Sequence, residues 1–226
     1  MPVDTLFNEA LEALLKENDG VIPGAPISFD QQIERKKEEY KEYLKFEPLQ
    51  ERITHALEVI QEKLVASLPE NEREWLLEDL AEAGEQMVAH PEAEGEALGI
   101  SNETLSVLQE FAESELKKNE IKAAVSVCTL LTVLDSRLYR HWYFLAIGLQ
   151  ELKEYQEAIN AYSKAKEISQ ESPLCDLYMA ECYIELADKE KAYYHLDRAK
   201  ELASKSAQYE HILMDLEKRV TSEGMI

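Results

Sequence analysis

The chain reads as an all-α protein: three stacked helix pairs and a capping helix, preceded by an α-helical N-terminal extension. Three observations carry this. Glycine and proline number only 7 each in 226 residues, while Glu, Ala, Leu and Lys dominate, a helix-forming composition. Strand-like alternation is hard to find, whereas apolar residues recur at helical spacing. A pattern of small and large apolar residues also repeats every 34 residues in the C-terminal half.

Residues 1–70 form the acidic helical extension, and 71–104 lead into the repeats. The first helical stretch is Thr5 to Lys16, with Leu6, Phe7, Ala10, Leu11, Leu14 and Leu15 on one face and Asp4 as N-cap. Asn18-Asp19-Gly20 ends it, and Val21 to Ser28 is a Pro/Gly loop. Asp30 caps a second, largely charged helix running to about Phe46, with Ile33, Tyr40 and Leu44 as its thin stripe. Pro48 breaks it or starts the third, where Leu49, Ile53, Leu57, Ile60 and Leu64 recur. Ser67-Leu68-Pro69-Glu70 reads as a capping box opening the fourth helix, whose buried face is Trp75, Leu76, Leu80, Ala83 and Met87. His90-Pro91 stops it.

The repeats are read from Trp142. Leu145, Ala146, Tyr155, Ala158, Tyr162 and Ala165 follow at +3, +4, +13, +16, +20 and +23. This is the tetratricopeptide pattern, with Ala146 in place of its usual glycine. A shift of 34 forward gives Ala180, Ala192 and Ala199; a shift back gives Ala112, Ala124 and Leu131. Three units follow, 105–138, 139–172 and 173–206. Small residues let the two helices of a pair approach closely, and large ones fill the gaps beside them. One pair cannot bury its apolar face alone, so pairs stack. Residues 207–226 supply the cap and tail, with Tyr209, Ile212, Leu213, Leu216 and Val220 as an apolar stripe. The place held by Trp142 becomes Asp176 in the third unit.

The formal net charge is -22 and the sequence pI about 4.6, which argues against nucleic acid and against anionic lipid. Residues 1–100 hold 24 acids and 9 bases, and residues 101–226 hold 22 and 15, so most of the acidity precedes the repeats. Met1-Pro2-Val3-Asp4 has no basic start or apolar block, so no signal peptide is expected. The longest apolar run, Trp142 to Leu149, is too short for a membrane span. Cys128, Cys175 and Cys182 form no CxxC and read as core residues of a reduced protein. No phosphate loop, GxGxxG, GxSxG or HExxH occurs. The five histidines are isolated along the chain, and His141 reads as a surface or packing residue. Neither catalysis, cofactor nor metal is expected.

In a tetratricopeptide unit the resemblance places the second, fifth, ninth, twelfth and thirteenth residues of the first helix on the inner, concave face. Here these are Ser106, Gln109, Glu113, Leu116 and Lys117; Arg140, Tyr143, Ile147, Gln150 and Glu151; and Leu174, Leu177, Glu181, Ile184 and Glu185. The Lys/Asn/Arg clamp of repeats that hold heat-shock C-termini is absent. An apolar strip of Leu116, Tyr143, Ile147, Leu177 and Ile184 flanked by acids suits an extended peptide with spaced apolar anchors and some positive charge. The other reading is that several of these residues pack beneath the N-terminal region or the capping helix.

The region from about 75 to 220 resembles the tetratricopeptide chaperones of bacterial type III secretion that guard translocator proteins, the LcrH/SycD type. The residues that carry this are the lead-in and first unit from Leu98 to Ser136, the run Trp142-Tyr143-Phe144-Leu145-Ala146-Ile147-Gly148 followed by YQEAINAYSKA, and the third-unit run from Met179 to Ala203. The resemblance implies a cytoplasmic bacterial protein that holds, without ATP, an extended segment of a hydrophobic secreted substrate in its groove. It also leaves room for a homodimer through N-terminal helices. The family tends to place aromatic residues where this chain has Gln109, Glu113 and Leu116, which puts the first anchor pocket in doubt. A scaffold that binds a folded component of a multiprotein apparatus is the alternative.

Overall fold

The computed structural model describes residues 46–89, 95–169, 173–203 and 213–214. The helices expected over Thr5–Lys16 and from Asp30 towards Phe46, the Val21–Ser28 loop, the His90-Pro91 stop and most of the capping stretch lie outside the described residues. All regular structure among the described residues is helical. The chain divides into two compact units, Met1–Ser136 and Arg137–Ile226.

In the first unit, α1 (Phe46–Val59) runs into a π-helical turn, Ile60–Val65. The expected stripe of Leu49, Ile53, Leu57, Ile60 and Leu64 is buried. Val65 is buried as well, five residues after Ile60. An α-helix would rotate that residue away from the stripe; i→i+5 bonding widens the turn and keeps it inside. Then come α2 (Glu70–Ala89), a 3-10 turn (Gly95–Leu98), α3 (Asn102–Lys117) and α4 (Ile121–Leu134). Eleven of the 14 residues of α4 are buried. A helix apolar on nearly every side needs more than one neighbour, and both α3 and α1 pack against it. Its hydroxyls are satisfied locally: Thr129 donates to the Val125 carbonyl at 2.8 Å and Thr132 to that of Thr129 at 2.7 Å. Ser126 meets His55 of α1 at 2.9 Å.

The start of α2 differs from the expected capping box. Ser67 does not accept from the α2 amides; its hydroxyl donates to the Leu64 carbonyl at 2.7 Å. The Leu64 carbonyl at the end of the preceding π turn takes that hydroxyl, and the Pro69 carbonyl begins α2 by accepting from Glu72 and Arg73. A true cap lies at α3, where Ser101 Oγ accepts from the Thr104 amide at 3.1 Å. Asp79 of α2 accepts from the Ser101 amide and from the Thr104 hydroxyl, which locks α2 to the head of α3. Gly99 has φ +75, and a Cβ there would meet the Glu82 side chain at 2.8 Å, so the turn into α3 needs glycine.

Glu115 of α3 is buried yet charged, and accepts from Lys63 of the π turn and Lys118, each at 2.9 Å. Burial works to raise its carboxyl, but the hydrogen bonds from Lys118 and Lys63 prevail and hold it below its ordinary value.

The second unit contains α5 (Tyr139–Glu151), α6 (Tyr155–Ile168), α7 (Leu174–Glu185) and α8 (Lys189–Ala203). α5 packs on α6, α6 on α7 and α7 on α8. Ala146, Ala158, Ala180 and Ala192 are completely buried at the close approaches, as are Ala112 and Ala124 in the first unit. The turn inside each pair takes one form. Asn119, Lys153 and Ala187, spaced by 34, have φ of 64, 63 and 58. The following amides of Glu120, Glu154 and Asp188 reach back to Glu115, Leu149 and Tyr183, closing a Schellman motif. None of the three is glycine, so each carries the steric cost of a left-handed Cβ.

Two outcomes are expected. Ala187→Gly relieves that cost and raises stability by about 0.5–1 kcal/mol in urea titration, after the loss to unfolded-chain entropy. Because the carboxyl of Glu115 is lowered in the folded state, its stabilisation is complete above its unfolded value and is lost as pH falls through the folded one. Glu115→Gln therefore costs about 2 kcal/mol at pH 7 and weakens the acid dependence of unfolding followed by circular dichroism.

Candidate functional site

Helices α5 and α7 lead successive pairs of the second unit, and their contacts run in the same order along both. The Tyr139 hydroxyl lies 3.7 Å from Cys175 Sγ. The Tyr143 and Tyr178 rings are 6.2 Å apart. Gln150 Nε2 donates to Glu181 Oε2 at 2.9 Å. The two helices therefore run parallel, side by side. Tyr162 enters from α6, stacking on Tyr178 at 5.6 Å and meeting Tyr143 edge-on at 6.2 Å. Its hydroxyl donates to Gln150 Oε1 at 2.9 Å. Both ends of the Gln150 amide are thus used, which fixes its orientation. Burial raises the hydroxyls of Tyr143 and Tyr162, with neighbouring rings and thiols adding to it, so both stay neutral donors.

Tyr143 continues the cluster along α5. It stacks on Tyr139 at 5.3 Å and meets the Phe144 edge at 5.6 Å. The Arg140 guanidinium sits 6.0 Å from the Phe144 centroid, at cation–π range. Tyr139, Tyr143, Phe144, Ile147 and Tyr178 are all partly exposed, while Tyr162 behind them is fully buried. The result is a packed aromatic face with a polar Gln150–Glu181 end, to which exposed Glu151 and Glu185 add charge.

The expected groove residues fall into three groups. Tyr143, Ile147, Gln150 and Glu181 come together on this face, with Arg140 at its edge. Leu177 and Ile184 do not join an open strip: at 1% and 4% exposure they lie in the α7–α8 core with Ala180, Ala192, Leu196 and Ala199. Leu174, Tyr193 and Leu213 pack against that core, so α8 covers what an isolated α7 would expose. Gln109, Glu113 and Leu116 belong to the first unit. There Gln109 is buried and donates to Glu113 at 3.2 Å, its Oε1 without a hydrogen-bond partner. Leu116 is partly exposed, and Ser106 and Lys117 are exposed.

Tyr178 and Tyr162 were not among the groove positions read from the sequence. Tyr162 was legible only as a large repeat residue, and Tyr178 stands at no inner place of the repeat; a tyrosine beside Leu177 gives no sign that it stacks. Asp176 and His195 also lie outside the expected groove positions. His195 is isolated along the chain, yet its Nδ1 lies 2.7 Å from Asp176 Oδ1. The available signal was the aspartate at the buried Trp142 place, since a buried charge requires a partner.

The thiols of Cys175 and Cys182 are buried and pushed up to about 11 and about 12, chiefly by burial. They are not poised as nucleophiles. Among the described residues no group of three metal-ligating side chains occurs, and no helix is long and apolar enough to cross a membrane.

No protein-family model and no curated protein sequence matches the chain. Solved structures do. The type III secretion chaperone SycD of Yersinia enterocolitica, solved with a peptide of the translocator YopD, shares 22% identity over 55% of this chain and 95% of its own, with a TM-score of 0.52. PcrH, solved with the chaperone-binding region of PopD, shares 22% over 55% of this chain and 93% of its own, with a TM-score of 0.52. A chain of a CopN–Scc3 complex shares 18% over 72% of this chain and 96% of its own, with a TM-score of 0.53. The all-α tetratricopeptide-type fold is common to them and to this protein.

Tyr162→Phe tests the internal bracing of the face. It leaves Gln150 Oε1 without its donor and is expected to lower stability by about 1–2 kcal/mol in urea titration, with the far-UV helical signal unchanged.

Proposed function

We propose that the α5–α7 face of the second unit binds an extended peptide segment of a partner protein, and that the chain is a cytoplasmic chaperone of a secreted, translocator-like substrate. The observation that carries this is the partly exposed row of Tyr139, Tyr143, Phe144, Ile147 and Tyr178, braced from behind by Tyr162. Rigid aromatic surface costs little side-chain entropy on binding and anchors apolar side chains well. The likeness in fold to proteins solved with YopD and PopD segments supports the reading.

The mechanism is binding alone. Apolar anchors of the substrate exchange water for the tyrosine faces. The polar end formed by Gln150 and Glu181, with Glu151 and Glu185 nearby, favours backbone donors and basic side chains of the peptide. Sequestering the anchors lowers the free concentration of the aggregation-prone form by mass action, with no need for ATP. Within the repeat region 105–206, the second and third pairs supply this face.

Co-expression with candidate secreted partners, followed by pull-down and a solubility assay, tests the proposal. The wild type is expected to retain its partner and keep it soluble, and Tyr143→Ala to weaken retention roughly tenfold or more, as for a buried aromatic anchor. Retention unaffected by both Tyr143→Ala and Ile147→Asp would sink the peptide-face reading. A partner equally soluble with or without the chain would mark a scaffold instead.

A further inference from the structure

Asp176 occupies a place that the repeat pattern reserves for a tryptophan, and it is fully buried. One oxygen does all its bonding. Oδ1 accepts from Lys166 of α6 at 2.6 Å and from His195 Nδ1 of α8 at 2.7 Å. Oδ2 is buried with no hydrogen-bond partner. Thus one carboxylate on α7 joins the helix before it and the helix after it. His195 is held in turn by Tyr183 of α7, stacked at 5.3 Å, and by Tyr194 edge-on at 5.0 Å. Lys191 lies over the Tyr183 ring at 5.3 Å. On α7 itself the neighbouring titratable group is Cys175, which meets the Tyr139 hydroxyl of α5.

The neighbours of Asp176 in sequence make its position matter. Cys175 touches α5, Leu177 enters the α7–α8 core, and Tyr178 stacks on Tyr162 as part of the aromatic face. Whatever fixes residue 176 also fixes the first turn of α7 against three helices.

We propose that Asp176 is a positioning residue for the aromatic face: its carboxylate, gripped by Lys166 and His195, sets the first turn of α7 so that Tyr178 lies against Tyr143 and Tyr162. The functional consequence rests on the peptide-face reading; the positioning itself does not.

The electrostatics agree. Burial acts to raise the carboxyl of Asp176, but the hydrogen bonds from His195 and Lys166 overcome it and leave it below its ordinary value. With a folded-state value lowered in this way, the grip is complete above the unfolded value and is lost as pH falls through the folded one. Asp176→Asn keeps the side-chain size, removes the charge and places an amide donor at the unpartnered Oδ2 site. His195→Asn keeps a donor where Nδ1 lies, whereas His195→Leu removes it.

The test uses thiol accessibility in the full chain, without a peptide. Cys175 and Cys182 lie on α7, and Cys128, buried in the first unit, is an internal control. Labelling with 4,4′-dithiodipyridine is followed per cysteine by mass spectrometry across a pH series. Asp176→Asn and His195→Leu are expected to speed labelling of Cys175 and Cys182 about tenfold at neutral pH, the scale of one charge-assisted hydrogen bond. Cys128 stays slow, His195→Asn stays near wild type, and the tyrosine near-UV signal weakens in step. With each rate taken relative to free cysteine at the same pH, because only the thiolate reacts, the wild type gains the fast labelling only at acid pH, and Asp176→Asn loses that relative pH dependence. The proposal is overturned if Asp176→Asn labels like wild type, if Cys128 accelerates equally, or if both proteins share one pH profile. Should Asp176→Asn fail to fold, the wild-type series alone decides: Cys175 and Cys182 must open at a higher pH than Cys128. Peptide binding lost with labelling unchanged would count against the positioning role and leave the peptide face standing.

Discussion

Six alanine methyls set the distances on which this protein is built. Ala112 and Ala124, Ala146 and Ala158, and Ala180 and Ala192 are all without solvent exposure. The repeat pattern puts these small residues where the two helices of a pair approach most closely. Leu108, Leu145 and Met179, at matching places of the three pairs, are buried with them, and the pair-closing turns reverse the chain within three residues. A larger side chain at any of these places has nowhere to go, because interiors packed to crystal-like density do not stretch.

Close backbone approach also explains why the buried polar groups sit where they do. Gln150, Glu115 and Asp176 each bond to a helix other than their own. Apolar packing between smooth helix faces is non-directional, and it leaves sliding and rotation weakly opposed. Charge-assisted hydrogen bonds fix those degrees of freedom because their geometry is narrow. Each grouping is satisfied on at least one atom by a lysine, a tyrosine or a histidine from a neighbouring element, which keeps the burial from becoming a net loss.

The same division of labour shapes the aromatic face. Tyr162 is buried and serves as a brace, while Tyr143 and Tyr178 keep part of their rings accessible. A surface held rigid in advance loses little entropy when a partner arrives. The core position of Leu177 and Ile184 narrows the accessible apolar area to α5 and the outer side of α7. Under the proposed peptide binding, selectivity would fall on Tyr143, Ile147 and Tyr178, with Glu181 at the polar end.

The 34-residue alanine pattern was enough, on sequence alone, to determine the helix-pair fold, because each repeat restates it; the helical stripe of Leu49, Ile53, Leu57, Ile60 and Leu64 gave that buried face, and the absence of any CxxC gave the core role of the three cysteines. Three others were invisible. The left-handed turn residues Asn119, Lys153 and Ala187 carry no glycine signal; their strain is imposed by the helices on either side. The π turn at Ile60–Val65 and the diversion of Ser67 to the Leu64 carbonyl depend on what α1 packs against. The pairing of Asp176 with Lys166 and His195 joins residues 10 and 19 positions apart. A chain pattern records which side of a helix is apolar. Only the assembled helices decide which polar atoms meet between them, since that depends on rotations and offsets of a few ångströms that no single segment encodes.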